Sequence, residues 1–191
     1  MAIKSISMKL PEGTFSINVQ FFGEEERKEL QSVYRQWRGL SDSLIRLHSR
    51  GVNLPDGLSE GVFCMATGAV RMVENLPGAN TSFDCYDMAS KRRIQVKAAS
   101  IIPDLTSFGP QSVWDDIYFM DFFRKGDWDG TVDIYRIDSS KIYSHPMNRT
   151  QTFRDQQSQG RRPRFSIYTD LIRHHQLKPW STYRLWQDVK R

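Results

Sequence analysis

Cysteine is almost missing from this chain. Its only two, Cys64 and Cys85, lie in no CxxC pair and have no histidine pair nearby. That spacing argues against a structural zinc site and points to two free, buried thiols in a reducing compartment. Long apolar runs are also missing, since none approaches the ~20 residues needed to span a bilayer. The opening stretch, MAIKSISMKLPEG, lacks the apolar core of a secretory signal. No membrane association and a cytoplasmic location are therefore expected. Internal repeats and low-complexity linkers are lacking too. What is there is a chain of 191 residues, 39% hydrophobic and 12% aromatic. That is enough for one compact domain with a proper core.

The net charge of +5 is mild but unevenly spread. Residues 1–140 carry 16 Lys/Arg against 19 Asp/Glu, whereas residues 141–191 carry 11 Lys/Arg against 3 Asp. Such asymmetry suggests a C-terminal third that faces a polyanion, with a merely solvated basic face as the bland alternative. A single domain over 1–191 is expected in three stretches. Residues 1–50 form an N-terminal strand and helix for packing or dimerisation, 51–140 the core, and 141–191 a basic recognition segment with closing elements.

The first 20 residues read as extended and irregular, with Phe15, Ile17 and Val19 alternating as in a short strand. Glu24, Glu25 and Glu26 then load the first turn of a helix, where the dipole favours acids. Leu30, Val33, Tyr34, Trp37, Leu40, Leu44 and Leu47 recur at helical spacing through about Ser49, with Gly39 a candidate break. A second helix is predicted from Leu58 or Ser59 to about Val73, with Glu60 in its first turn. Asn75-Leu76-Pro77-Gly78 ends it.

The stretch TSFDCYDMASKRRIQVKAAS, Thr81 to Ser100, reads as a β-hairpin. Its runs, Ser82–Met88 and Arg93–Ala99, flank a polar turn at Ala89-Ser90-Lys91-Arg92. Ile94, Val96 and Ala98 alternate with Gln95 and Lys97, so the polar pair shares one face. Parity sends Phe83 and Cys85 to the core, Asp84 and Tyr86 to the cleft side, and Asp87 to the turn. Phosphodiester hydrolysis needs a divalent metal on hard oxygen ligands, an activated water and a cation near the phosphate. Glu60, Asp84 and Gln95 can supply the oxygens, and Lys97 the cation.

Further on, Pro103–Gln111 reads as a loop, Ile117–Phe123 as a buried strand, residues 126–130 as a turn and Thr131–Ile137 as a second strand. Ser139–Tyr143 is expected to make one helical turn. The segment HPMNRTQTFRDQQSQGRRPRF, residues 145–165, then changes character. Arg149, Arg154, Arg161, Arg162 and Arg164 are interleaved with glutamines that include Gln151 and Gln157. Arginine matches guanine O6 and N7, and glutamine matches adenine N6 and N7. An unstructured loop of this length is usually functional or disordered. Lys91 and Arg92 in the hairpin turn join these as candidate DNA contacts. A helix at Ser166–His175, on which His174 and His175 point apart, and a strand near Tyr183–Trp186 close the chain.

Asp84, a ten-residue spacer and Gln95-Val96-Lys97, preceded by a helix with Glu60, resemble the PD-(D/E)XK nuclease core. The blocks SFDCYD, IQVKAAS, DLTSFGP, WDDIYFMDFFRKGDWDGTVDIY and NRTQTF…DQQSQGRRPRFSI resemble a small family of type II restriction endonucleases. That family cuts GC-rich interrupted palindromes of the GCNGC kind, and the likeness covers roughly residues 50–170. It implies an α/β (α+β) core with a central mixed sheet flanked by helices. It also implies Mg²⁺-dependent cleavage of double-stranded DNA, with Mn²⁺ as a substitute, to 5′-phosphate and 3′-hydroxyl ends. Two active sites would be brought together by a homodimer or by a dimer with a related subunit. Asp84 corresponds to the family aspartate, Lys97 to the lysine and Glu60 to the helical glutamate. Gln95 departs from the commoner acid, so metal binding should be weaker unless Glu60 compensates. A structure-directed repair or junction nuclease, or a catalytically silent DNA-binding subunit, are the competing expectations.

Overall fold

A computed structural model describes residues 2–186. The N-terminal stretch is far more regular than its sequence suggests. β1 (Ala2–Leu10) and β2 (Gly13–Phe21) form a long antiparallel hairpin paired over nine positions. Met8, Leu10, Ile17 and Val19 bury one face of it, while the lysines and serines of the other face mask the alternation. α1 follows at Glu24–Arg46 and passes through Gly39 without a break, since one glycine costs a helix interior only ~1 kcal/mol relative to alanine. Its Leu30, Tyr34 and Trp37 are buried.

α2 spans Asp56–Thr67 and stops well short of the expected Val73. Gly68 takes the left-handed conformation (φ 79°), and its N–H donates to the Cys64 carbonyl at 2.8 Å, a glycine cap that closes the helix. The chain then turns into β3 (Val70–Met72), so Ala69 and Val70 belong to the sheet side of the core. β4 is short (Cys85–Asp87) and β5 long (Arg92–Ala99), and the turn lies one residue earlier than expected, with Lys91 at φ 57°.

β7 (Asp116–Asp121) pairs parallel to β5, and β8 (Thr131–Ile137) antiparallel to β7. The β5–β7 connection is not all loop: β6 (Thr106–Ser107) pairs with β9 (Arg164–Phe165) in a small second sheet. The last strand, β10 (Ser181–Arg184), completes a mixed eight-stranded sheet in the order β1-β2-β3-β4-β5-β7-β8-β10. Helices α1 and α2 cover one face through Cys85, Ile94, Val96, Tyr118 and Met120.

The opposite face of β5, β7 and β8 is covered by the C-terminal third. α3 (Ser139–Tyr143), α4 (Phe153–Ser158) and a six-residue π-type turn at Tyr168–Arg173 pack there. Residues 145–165 are therefore ordered, and not the solvated loop that was the bland alternative. Thr152 and Asp155 cap α4 reciprocally, and Phe153 and Phe165 stand 4.9 and 5.6 Å from the Phe108 ring. These two aromatic anchors stand 12 residues apart in a stretch dominated by Arg and Gln, so no local periodicity signals the ordering they impose. His174 and His175 do not point apart either, since their rings meet edge-on at 4.8 Å.

α2 meets α1 and the residue that follows β2 closely at Gly61, where a Cβ would stand 2.7 Å from Leu30 Cδ2 and 2.8 Å from Phe22 Cε1. Gly61→Ala should cost ~1–3 kcal/mol by overpacking, read as a lower denaturant midpoint at unchanged slope.

Candidate active site

Asp84 sits where β3, β4 and β5 part. Its backbone is held on both sides, by Met72 N to its carbonyl and by its own N–H to the Ile94 carbonyl, each 3.0 Å. β4 only begins at Cys85, so the neighbouring stretch of β5 has no strand partner on this side. The Asp84 carboxylate fills that place. Its Oδ2 accepts from Val96 N at 2.8 Å and from the side-chain amide of Gln95. Oδ1 has no donor among the described residues. Burial raises the Asp84 pKa, and the nearby Lys97 ammonium offsets part of that rise.

Gln95 is only 2% exposed, lying under the C-terminal layer and not open to a cleft. Its Nε2 reaches Asp84, but its Oε1 is buried with no hydrogen-bond partner among the described residues. A buried amide oxygen left unpaired costs ~1–3 kcal/mol. Lys97, two residues on, is half-buried, with Nζ 5.5 Å from the centroid of the Phe108 ring. Tyr86 does not join the cleft side, being buried with Phe83 against the N-terminal hairpin.

Glu60 comes from α2 and accepts from Arg71 Nε of β3 at 2.5 Å. Arg71 has no place in the sequence reading, because a helix running to Val73 would put it on the wrong element. Burial, then the charge of Asp84, push the Glu60 carboxyl up to about 7, and Arg71 pulls it back only in part. Asp87, the other aspartate of the hairpin, caps the turn by accepting from Ala89 N at 2.9 Å and Ser90 Oγ at 2.5 Å.

Glu60, Asp84 and Lys97 line one cleft of about 750 Å³. Its walls are the α1–α2 connection, including Arg50 and Asn53, and residues 100–107 after β5. None of the arginines of 149–164 lines it. Among the described residues no three His, Cys, Asp or Glu side chains gather as a metal group. The two thiols do meet, Cys64 Sγ lying 3.6 Å from Cys85 Sγ, free and buried behind the site.

The basic segment stands apart. Arg154 stacks on Tyr143 at 4.6 Å, and Arg161 donates to Gln151 Oε1 at 3.2 Å. Gln157 is committed internally, its amide donating to the carbonyls of Gly109 and Ser112. Arg149, Arg162 and Arg164 are exposed. In the hairpin turn Lys91 is exposed, whereas Arg92 pairs with Asp116, which also holds Arg136 at 2.7 Å.

A family model described as Bsp6I restriction endonuclease matches residues 22–174. The type II restriction enzyme Bsp6I of Bacillus sp. (strain RFL6) is 34% identical over 150 residues, 77% of this chain and 81% of that protein. This chain belongs to the Bsp6I restriction endonuclease family. It is a site-specific nuclease, and DNA is its substrate. No solved structure matches it. The family span holds Glu60, Asp84, Gln95, Lys97 and the whole basic segment, and omits the β1–β2 hairpin. No helix among the described residues is long and apolar enough to cross a membrane.

In this family member Glu60 binds a proton more tightly folded than unfolded, its carboxyl rising from 4.5 to about 7. The folded state thus holds more protons between those values, and its stability falls as pH rises through them. The share of Glu60 is roughly 3 kcal/mol at ~1.36 kcal/mol per unit. Glu60→Gln should flatten that fall, as measured by urea unfolding at pH 5 and pH 7.5.

Proposed function

We propose that this chain is a divalent-metal-dependent type II endonuclease with a PD-(D/E)XK core, cutting duplex DNA within a GC-rich interrupted palindrome such as GCNGC. The ends would be 5′-phosphate and 3′-hydroxyl, the working unit a dimer with itself or a related subunit, and the compartment the cytoplasm. The observation that carries the reading is the Asp84–Gln95 pair: among the described residues, a buried carboxylate has one oxygen without a donor, next to an amide whose buried oxygen has no partner.

Those oxygens are of the kind that holds Mg²⁺, or Mn²⁺ in its place, because hard cations take carboxylate and amide carbonyl ligands; Gln95 turns Nε2 toward Asp84, so its amide must rotate to bring Oε1 to the same ion. Bound there, such an ion supplies Lewis-acid stabilisation of the phosphate and lowers the pKa of a water. Val96 N fixes the Asp84 carboxylate, so one oxygen is turned away from the ladder. Lys97 places its ammonium on the same side of β5 and orients the attacking water or balances charge on the phosphate. Glu60 adds a third oxygen only when its hold on Arg71 is released, and Arg71 then meets the phosphate instead. With one fixed carboxylate and a neutral amide, metal affinity is set low until DNA contributes its own oxygens.

Recognition is assigned to the C-terminal segment. α4 and β9 are anchored by Phe153 and Phe165, and the segment presents Arg149, Arg154, Arg161, Arg162 and Arg164 with Gln151 from an ordered support. Lys91 adds a phosphate contact near the turn.

Plasmid digestion with and without Mg²⁺, followed by end mapping, tests the reaction. Asp84→Ala and Lys97→Ala should each abolish Mg²⁺-dependent cleavage and keep sequence-specific binding, whereas full activity in either variant removes the site assignment. Substituting Arg149, Arg154, Arg161 and Arg162 one at a time should cost ~1–3 kcal/mol of binding where a base is read, with relaxed preference at one base pair. Uniform weakening across sequences by all four refutes base reading here.

A further inference from the structure

One wall of the Asp84 cleft is built from the connection between α1 and α2. This connection, residues 47–55, is held in place by buried groups. Ser41, 1% exposed, accepts from Val52 N at 3.1 Å, and the buried Trp37 donates its indole N–H to the Val52 carbonyl at 2.9 Å. Gly51 lies against Ser41 so closely that a Cβ would stand 3.3 Å from the serine Cβ. A solvated linker has no use for a buried serine and an indole aimed at one peptide. The arrangement fixes the backbone that carries Arg50.

Arg50 is exposed, lines the cleft, and makes no hydrogen bond, ion pair or ring contact among the described residues. Its neighbours differ. Arg38, also in the cleft wall, is paired with Asp42 and lies 3.8 Å over the Trp128 ring, and Lys97 sits beside Asp84. Arg71, Arg92, Arg93 and Arg136 are all held by carboxylates. Arg50 is thus a cation on a fixed loop, left without a carboxylate, at the mouth of a cleft with Asp84 inside.

Phosphates of one DNA strand recur every ~3.4 Å along the duplex axis. A cleft of about 750 Å³ that receives one phosphate at Asp84 and Lys97 therefore brings its neighbours in that strand against the walls. We infer that Arg50 is a phosphate clamp, binding the backbone of the cleaved strand beside the scissile phosphate from the α1–α2 connection. This rests on the nuclease reading of the Asp84 cleft and adds a second DNA-contacting element, remote in sequence from the basic C-terminal third. Its role is positional, through charge and a forked donor set that matches phosphate oxygens. It reads no base.

The test is the salt dependence of binding to a short fluorescent duplex of arbitrary sequence, in EDTA so that no cleavage intervenes. Each phosphate contact contributes ~0.9 to the slope of log K against log salt. Arg50→Ala should lower the slope by about one and weaken all sequences alike, with the melting midpoint unchanged. Arg50→Lys should restore the slope. Arg46→Ala, which removes the same charge from the last turn of α1 at a residue outside the cleft, should keep it. An unchanged slope in Arg50→Ala, or an equal loss in Arg46→Ala, overturns the clamp. Plasmid cleavage by the wild-type chain is scored separately, so failure of the nuclease reading shows there, whatever the slopes.

Discussion

Everything at the candidate site depends on one side chain filling a gap in a sheet. β4 is too short to pair along the whole of β5, and the Val96 N–H would be left buried without an acceptor. Asp84 supplies that acceptor from its carboxylate at 2.8 Å, while its own backbone bonds to β3 and β5. The same carboxylate draws in the amide of Gln95 and leaves the Gln95 carbonyl oxygen unsatisfied. Fixing the sheet and aiming the acid are therefore one event. A buried acid is tolerated because its charge meets a backbone N–H and the Lys97 ammonium.

Around this point the two layers divide the work. α1 and α2 bring Glu60 and the Arg50 connection to one side of the cleft. The C-terminal third covers the other face of β5, burying Gln95 and setting Phe108 beside Lys97. Asp104 ties that layer down: its carboxylate accepts from Ser166 Oγ at 2.6 Å and from the backbone of Ile167 and Tyr168. Since 145–165 is anchored by aromatic residues to the layer that covers Gln95, the basic surface and the acid are parts of one rigid packing arrangement.

Much of the fold was legible where a pattern is local. The β7 and β8 strands, the turn between them, the α3 turn and the first half of the α1 stripe follow from alternation, helical spacing and glycine, whereas Leu40 and Leu47 of that stripe are exposed. Errors fell where a local signal had to compete. The α2 stripe continues past Gly68, and only the left-handed cap ends it. The β1–β2 hairpin carries lysines and serines along its exposed face, so it read as irregular. The ordering of residues 145–165 has no local signal, because Phe153 and Phe165 act through partners far away in sequence.

For the site, the sequence by itself determined the chemistry available: an acid, an amide and an amine at strand spacing, a glutamate on the preceding helix, and a basic third at the C-terminus. Parity alone preferred Asp84 to Asp87, since side chains on a strand alternate. Only the tertiary structure decided that Gln95 is buried with an unsatisfied oxygen, that Glu60 is held by Arg71, and that one wall of the cleft carries Arg50. Those facts depend on which segments meet across the sheet, and burial and pairing are properties of that meeting, not of any residue's neighbours in the chain.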